Sequence, residues 1–166
     1  MIWKKTHQLE QLNRLCENSA ISHLGIRFTA KGDNWLEAEM PVDQRTCQPL
    51  GFLHGGISAA LAETVASLAG FCTLDDNLSV VGVELNASHL RAVKKGNVEQ
   101  QVKVIARAEP LRLGKSLQVW QVDIFSQGYP LGGKLQSGER ELCCRVRMTL
   151  AVINRHAQKR INNTSN

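Results

Sequence analysis

The chain has 166 residues, of which 43% are apolar and 21% charged, a composition that fits one domain with a filled core. Its formal charge of +5 is concentrated at the end: Arg155, Lys159 and Arg160 lie in the acid-free run "NRHAQKRINNTSN", and the rest of the chain carries 17 basic and 15 acidic residues. With no basic stripe and only 5% aromatics, the composition argues against a nucleic-acid binder.

The start, "MIWKKTHQLEQLNRL", is charged and amphipathic, unlike a signal sequence, and no 18-residue apolar run reads as a membrane span. A cytoplasmic protein without a membrane partner is the expectation. Leu9, Leu12, Leu15 and Cys16 recur at helical spacing, so residues 7–18 form a short helix lying on the domain. Two alternating stretches flank the turn quartet Lys31-Gly32-Asp33-Asn34 in "LGIRFTAKGDNWLEAEMPV" and predict an antiparallel hairpin. An irregular connection, "DQRTCQPLGFLHGG", leads to a long apolar helix that ends near Thr73.

Four runs rich in valine and isoleucine follow: "LSVVGVELNASHL", "NVEQQVKVIARAEPL", "SLQVWQVDIFS" and "LCCRVRMTLAVI". The glycine-rich "QGYPLGGKLQSGERE" joins the last two as a hairpin loop. No βαβ alternation appears, so the pattern predicts an α+β domain, a mostly antiparallel sheet on one central helix, over residues 1–153, with 154–166 as a polar, disordered tail. The five cysteines are odd in number and lack CxxC spacing, so neither disulfides nor a metal site is expected. Cys143 and Cys144 are neighbours on a strand and should point to opposite faces.

The helix "GGISAALAETVASLAG" has one charged residue, Glu63. On a helical wheel Ile57, Leu61, Thr64, Val65, Leu68, Phe71 and Cys72 share a bulky face, which the sheet should cover. Glu63 lies opposite, with Gly56, Ala59, Ala66, Ser67 and Gly70, small residues that let a backbone or ligand approach. An interface acid paired with an arginine would also fit. "HGG" at 54–56 holds no Ser, Thr or Asp cap, so either the first N–H groups are left for an anion or oxyanion, or His54 caps the helix itself. Gln48 adds an amide donor in the same loop. A carboxylate, a donor-rich helix end and an amide form a plausible acyl-transfer set. Cys47 and His54 as a nucleophile–base pair lack an orienting third group.

At "QPLGFLHGGISAALAETVASLAG" the sequence resembles the hotdog-fold thioesterases, in particular the aryl-CoA group of the Arthrobacter type. Within that group the look is nearest to bacterial 1,4-dihydroxy-2-naphthoyl-CoA hydrolases of menaquinone synthesis and to the thioesterase that proofreads enterobactin assembly. The likeness extends from "MIWKK" through "MPVDQRTCQPLGFLHGG", "VVGVELNASHLR" and "PLRLGKSLQVWQVDI" to "LCCRVRMTLAVI", most of the chain. It implies a hotdog domain, homodimers with shared active sites that pair into homotetramers, a small-molecule acyl-CoA substrate and no cofactor. Residue by residue, it implies Glu63 as nucleophile or general base, Gly55 N–H as the oxyanion donor, Gln48 and His54 as the polar pair beside it, and Ser67 as an orienting hydroxyl. Gly82, the segment His89, Leu90, Arg91 and Ala92, and the segment Arg112, Leu113, Gly114, Lys115, Ser116 and Leu117 match positions that hold the CoA arm and nucleotide. Arg91, Arg112 and Lys115 would meet its phosphates. The runs 97–111 and 126–141 look longer than the family pattern. The expected activity is hydrolysis of an aryl-CoA thioester; a carrier-protein thioesterase and a non-catalytic acyl-CoA-binding dimer are the alternatives. Val65, Leu68, Phe52 and Leu53 would either line a flat acyl pocket or belong to the core.

Overall fold

The computed structural model describes residues 1–97, 101–127 and 139–155. Two short helices, α1 (Leu9–Leu15) and α2 (Ala20–His23), precede the hairpin β1 (Arg27–Lys31) and β2 (Leu36–Pro41); the long helix α3 (Gly55–Cys72) is followed by β3 (Leu78–His89), β4 (Lys103–Leu113), β5 (Leu117–Gln127) and β6 (Glu141–Asn154). The strands form one antiparallel sheet in the order β1-β2-β4-β5-β6-β3, with α3 packed on it. The α+β expectation holds.

Period-two patterning explains the sheet. On β5, Gln118, Trp120, Val122, Ile124 and Ser126 turn inward and are buried, and on β6 Cys144, Val146, Met148 and Leu150 do the same. The opposite face is polar and cross-paired. Glu37, Arg107, Asp123 and Arg145 are successive register partners on four strands, so acid and base alternate across the sheet. Arg145 donates to both Asp123 oxygens at 2.7 Å, and Arg107 stacks on Trp35 at 4.0 Å.

Several details differ from the sequence expectation. Residues 1–8 are not helical: Lys4 and Lys5 N–H groups donate to Cys72 O, tying the N-terminal segment to the far end of α3. α1 spans only Leu9–Leu15 and buries Leu12, while Leu15 is 58% exposed. It docks on β1 through Asn13, whose side chain both accepts from Phe28 N and donates to Phe28 O. α2 carried no clear periodicity in the sequence; its Ser19 cap forms it.

The sheet also covers a different arc of α3 from the one read off bulk. Ser58, Leu61, Ala62, Val65, Ala66, Ala69, Gly70 and Cys72 are buried, whereas Ile57, Thr64, Leu68 and Phe71 are only half-buried. Small residues win that arc because the sheet comes close to it: a Cβ on Gly70 would lie 2.6 Å from Gln118 Oε1 and 2.8 Å from Leu150 Cδ1. By length and composition alone α3 could cross a membrane, against the expectation that no run reads as a span; in the fold it is a core helix packed on the sheet. β6 runs through Asn154, which pairs with Leu78, so the domain extends past residue 153. Of the expected tail 154–166, residues 156–166 lie outside the described residues, as do residues 128–138 of the glycine-rich loop.

Candidate active site

The loop before α3 is pinned on both sides. Thr46, fully buried, donates its hydroxyl to Pro41 O at 2.8 Å and accepts from Asp43 N at 3.0 Å; His54 N donates to Thr46 O, Leu53 N to Val93 O and Lys95 N to Gly51 O. Gln48 sits in this loop with its carbonyl oxygen Oε1 accepting from Leu50 N at 2.6 Å, which leaves its NH₂ to donate.

At the helix mouth, His54 is the cap. Its Nδ1 accepts from Gly56 N at 2.9 Å, which decides for the second of the two alternatives at this helix start. His54 O takes the N–H groups of Ile57 and Ser58. Gly55 N–H, between them, has no acceptor among the described residues. The capping imidazole thus satisfies the neighbouring donor and leaves one amide facing outward, the arrangement an oxyanion needs.

A cavity of about 400 Å³ opens at this point, lined by Gln48, Gly55, Ser58, His89 and Arg91 with apolar walls from Phe52 and Leu53. Phe52 and Leu53 therefore face the site, while Val65 is fully buried core and Leu68 is half-buried. Cys143 and Cys144 also line it. Both are buried, against the expectation of opposite faces, because the β5–β6 register steps from Ile124–Cys144 to Phe125–Leu142 and leaves Cys143 as a bulge. Burial pushes the Cys143 thiol up to about 12, so it is no nucleophile at neutral pH. All five cysteines are free thiols. The bulge has a positional effect: Cys143 O accepts from Leu90 N at 2.8 Å and Arg91 N at 3.1 Å, fixing the 89–92 segment beside Gly55.

The sequence reading places neither Ser58 nor the cysteine pair at the site. Ser58 stands one turn from His54, and that i,i+4 spacing was the available signal. Only the bulge brings the cysteines in.

The other candidates lie elsewhere. Glu63 is eight residues along α3 from Gly55, about 12 Å of helix rise, and is exposed on the single chain. Its flank keeps Gly56, Ala59 and Ser67 open or half-open, but Ala66 and Gly70 belong to the buried arc. Glu63 Oε1 instead lies against β3: a Cβ on Gly82 would come within 2.5 Å of it. Gly82 thus adjoins the carboxylate and lies seven residues along β3 from His89, away from the 89–92 segment. Arg91 is ion-paired with Glu141 at 2.9 Å. Arg112 and Lys115, at the β4–β5 hairpin tip, show no ion pair among the described residues. Leu117 at the hairpin base pairs with Ala151, seven residues along β6 from Cys144, the partner of His89, so the two cation groups are about 23 Å apart in one chain.

The candidates therefore fall into two sets. One holds the donors: Gln48, His54, Gly55 and residues 89–92. The other holds the acid: Glu63, Ser67 and Gly82, at the sheet level of the hairpin 112–117.

Comparison with known proteins bears on the family and the fold. The thioesterase superfamily profile matches residues 50–131. A protein of Pasteurella multocida (strain Pm70) that carries an esterase name is 54% identical over 154 residues, 93% of this chain and 99% of that protein. The crystal structure of a thioesterase from Haemophilus influenzae is 53% identical and superposes with a TM-score of 0.79 over 93% of this chain and 96% of that one. A thioesterase from Pseudomonas aeruginosa is 40% identical, with a TM-score of 0.77 over 93% of this chain and 99% of its own. The chain belongs to the thioesterase superfamily and has its hotdog fold.

Proposed function

We propose that the protein hydrolyses aryl-CoA thioesters, with the site built between two chains: Gly55, Gln48 and His54 of one protomer, Glu63 and Ser67 of its partner. The observation that carries this reading is the separation of the two sets. An unbonded amide at the helix mouth and a carboxylate about 12 Å along the same helix cannot act on one carbonyl. Two antiparallel copies of α3 related by a twofold axis bring each carboxylate to the other's helix mouth.

The open flank with Gly56, Ala59 and Ser67 lets helices approach. The edge strand β3 leaves Val81 39% and Val83 56% exposed beside Gly82, an apolar edge suited to a second copy. Two structures of a Staphylococcus aureus protein, 30% and 29% identical to this chain, carry alanine in place of a glutamate and of a glutamine fifteen positions apart. Gln48 and Glu63 have that separation.

In this mechanism the thioester oxygen accepts from Gly55 N–H, and charge developing on it is stabilised by that fixed amide and the helix dipole. Glu63 of the partner either attacks the carbonyl carbon, forming an anhydride that water hydrolyses, or removes a proton from the attacking water. Ser67, one turn on, orients the carboxylate or the water. Gln48 NH₂ holds the thioester group in place. Arg91, Arg112 and Lys115 are the proposed nucleotide contacts; since two of them sit on the acid-bearing half, they too come from different chains.

The test mixes Glu63→Ala with Gly55→Pro, each inactive alone, and lets subunits exchange. A heterodimer holds one site with both defects and one with neither, so up to half of the wild-type activity per heterodimer returns. Verified heterodimers that recover nothing, with both parents folded, exclude the shared site. Release of thiol from dihydroxynaphthoyl-CoA, benzoyl-CoA, a medium-chain acyl-CoA and an aryl carrier protein identifies the acyl class; preference for the carrier protein would replace the CoA reading.

A further inference from the structure

The family resemblance implies a place for His89 with the CoA arm, but the fold puts its ring against the helix mouth. A Cβ on Gly55 would lie 3.0 Å from His89 Nε2 and 3.2 Å from Cε1, so one edge of the imidazole rests on the first residue of α3. A side chain at position 55 would crowd that ring. The ring is held from behind: His89 pairs with Cys144, and the next two N–H groups are fixed on Cys143 O. Among the described residues no group hydrogen-bonds to either His89 nitrogen, whereas His54 Nδ1 is committed to Gly56 N–H and Gln48 Oε1 to Leu50 N–H.

A thioester whose oxygen accepts from Gly55 N–H carries its sulfur about 4–5 Å from that nitrogen, given ordinary hydrogen-bond lengths. We propose that the His89 ring donates an N–H hydrogen bond to this sulfur and stabilises the departing thiolate, a role that rests on the thioesterase reading above. As the tetrahedral intermediate collapses, the C–S bond breaks with its electron pair moving to sulfur and the C=O bond re-forms. The thiolate leaves hydrogen-bonded to His89 and takes up the proton released by the attacking water, so products are the acid and the free thiol.

Leaving-group chemistry tests this. His89→Phe keeps a ring against Gly55 without an N–H, and His89→Gln keeps an N–H without the ring; His89→Ala serves if the first does not fold. Each is compared with wild type on three thioesters of one aryl acid: those of CoA, N-acetylcysteamine and thiophenol. The alkyl thiols are poor leaving groups and need help, whereas thiophenolate does not. His89→Phe should lose about 10- to 100-fold in kcat on both alkyl thioesters at near-constant KM and less than about threefold on the thiophenyl ester, with His89→Gln recovering most of the loss. An equal loss on all three esters, or an effect confined to KM for the CoA ester, overturns the proposal and returns His89 to the CoA arm. Wild-type protein inert toward all three would overturn the thioesterase reading and this role with it.

Discussion

The two ends of α3 are built to opposite rules. At the C-terminal end the last three carbonyls of the helix are taken: Gly70 O accepts from Thr73 Oγ1 at 2.7 Å, Phe71 O from Lys5 Nζ at 3.0 Å, and Cys72 O from two backbone amides. Behind them Gln118 donates to Thr73 Oγ1 at 2.9 Å and accepts from Trp120 Nε1 at 3.0 Å, all within the buried interior. At the N-terminal end Gly55 N–H, the Gln48 NH₂ and both His89 nitrogens have no partner among the described residues, and a cavity reaches them. Unused polar groups cost stability when they are shielded from water, so a helix that satisfies one end and leaves the other open marks the open end as the place a ligand completes. The satisfied end anchors the helix that carries both Gly55 and Glu63.

Mutations should separate these ends, activity without stability at one and stability without chemistry at the other. The largest effect belongs to Glu63→Gln, which should lower kcat by about 100-fold or more, as for loss of a base or nucleophile, while the melting temperature and oligomer size stay near wild type. Near-wild-type turnover would end the proposed mechanism.

At the anchored end, Gln118→Leu strands the Trp120 N–H and should cost about 1–3 kcal/mol in denaturant unfolding. Gly70→Ala forces a Cβ onto Gln118 Oε1 and Leu150 and should cost a similar amount, about 1–3 kcal/mol for overpacking. In both, kcat per folded molecule should remain within about twofold of wild type, since no reacting group has moved. A large kcat loss in a fully folded variant would show that the two ends are not separable.

A smaller effect concerns the nucleotide. Replacing Arg112 and Lys115 together by alanine should raise KM for CoA esters about three- to tenfold and leave pantetheine esters unchanged, because only the former carry the nucleotide phosphates. An equal rise on both would place the hairpin away from the nucleotide.

The smallest effect is a pH dependence at Lys5. Burial lowers its pKa from 10.5, outweighing the nearby acids. A lowered lysine means that, between its native pKa and 10.5, the unfolded chain binds the proton more readily than the folded one. Unfolding free energy should therefore rise with pH in that window for wild type relative to Lys5→Met. A difference independent of pH would show that Lys5 acts by packing on Phe71, 3.8 Å from the ring centre, and by capping alone.

Much of this protein was legible before the fold was known. Period-two runs placed β3 to β6, the Lys31–Asn34 turn placed the first hairpin, and one carboxylate in an apolar helix, eight residues after a glycine pair, marked Glu63 and Gly55. Those signals are local, and backbone periodicity and turn chemistry act over a few residues. The sequence by itself thus determined the α+β class, the helix and its unusual acid. Only the tertiary structure decided which arc of α3 the sheet covers, because close approach of strands selects alanine and glycine over bulk. It also decided that His54 caps the helix while Gly55 stays open, that a bulge at Cys143 aligns residues 89–92 with the cavity, and that Gly82 rests on Glu63. Each joins residues from different elements through register and packing, and neither leaves a periodic trace in the chain.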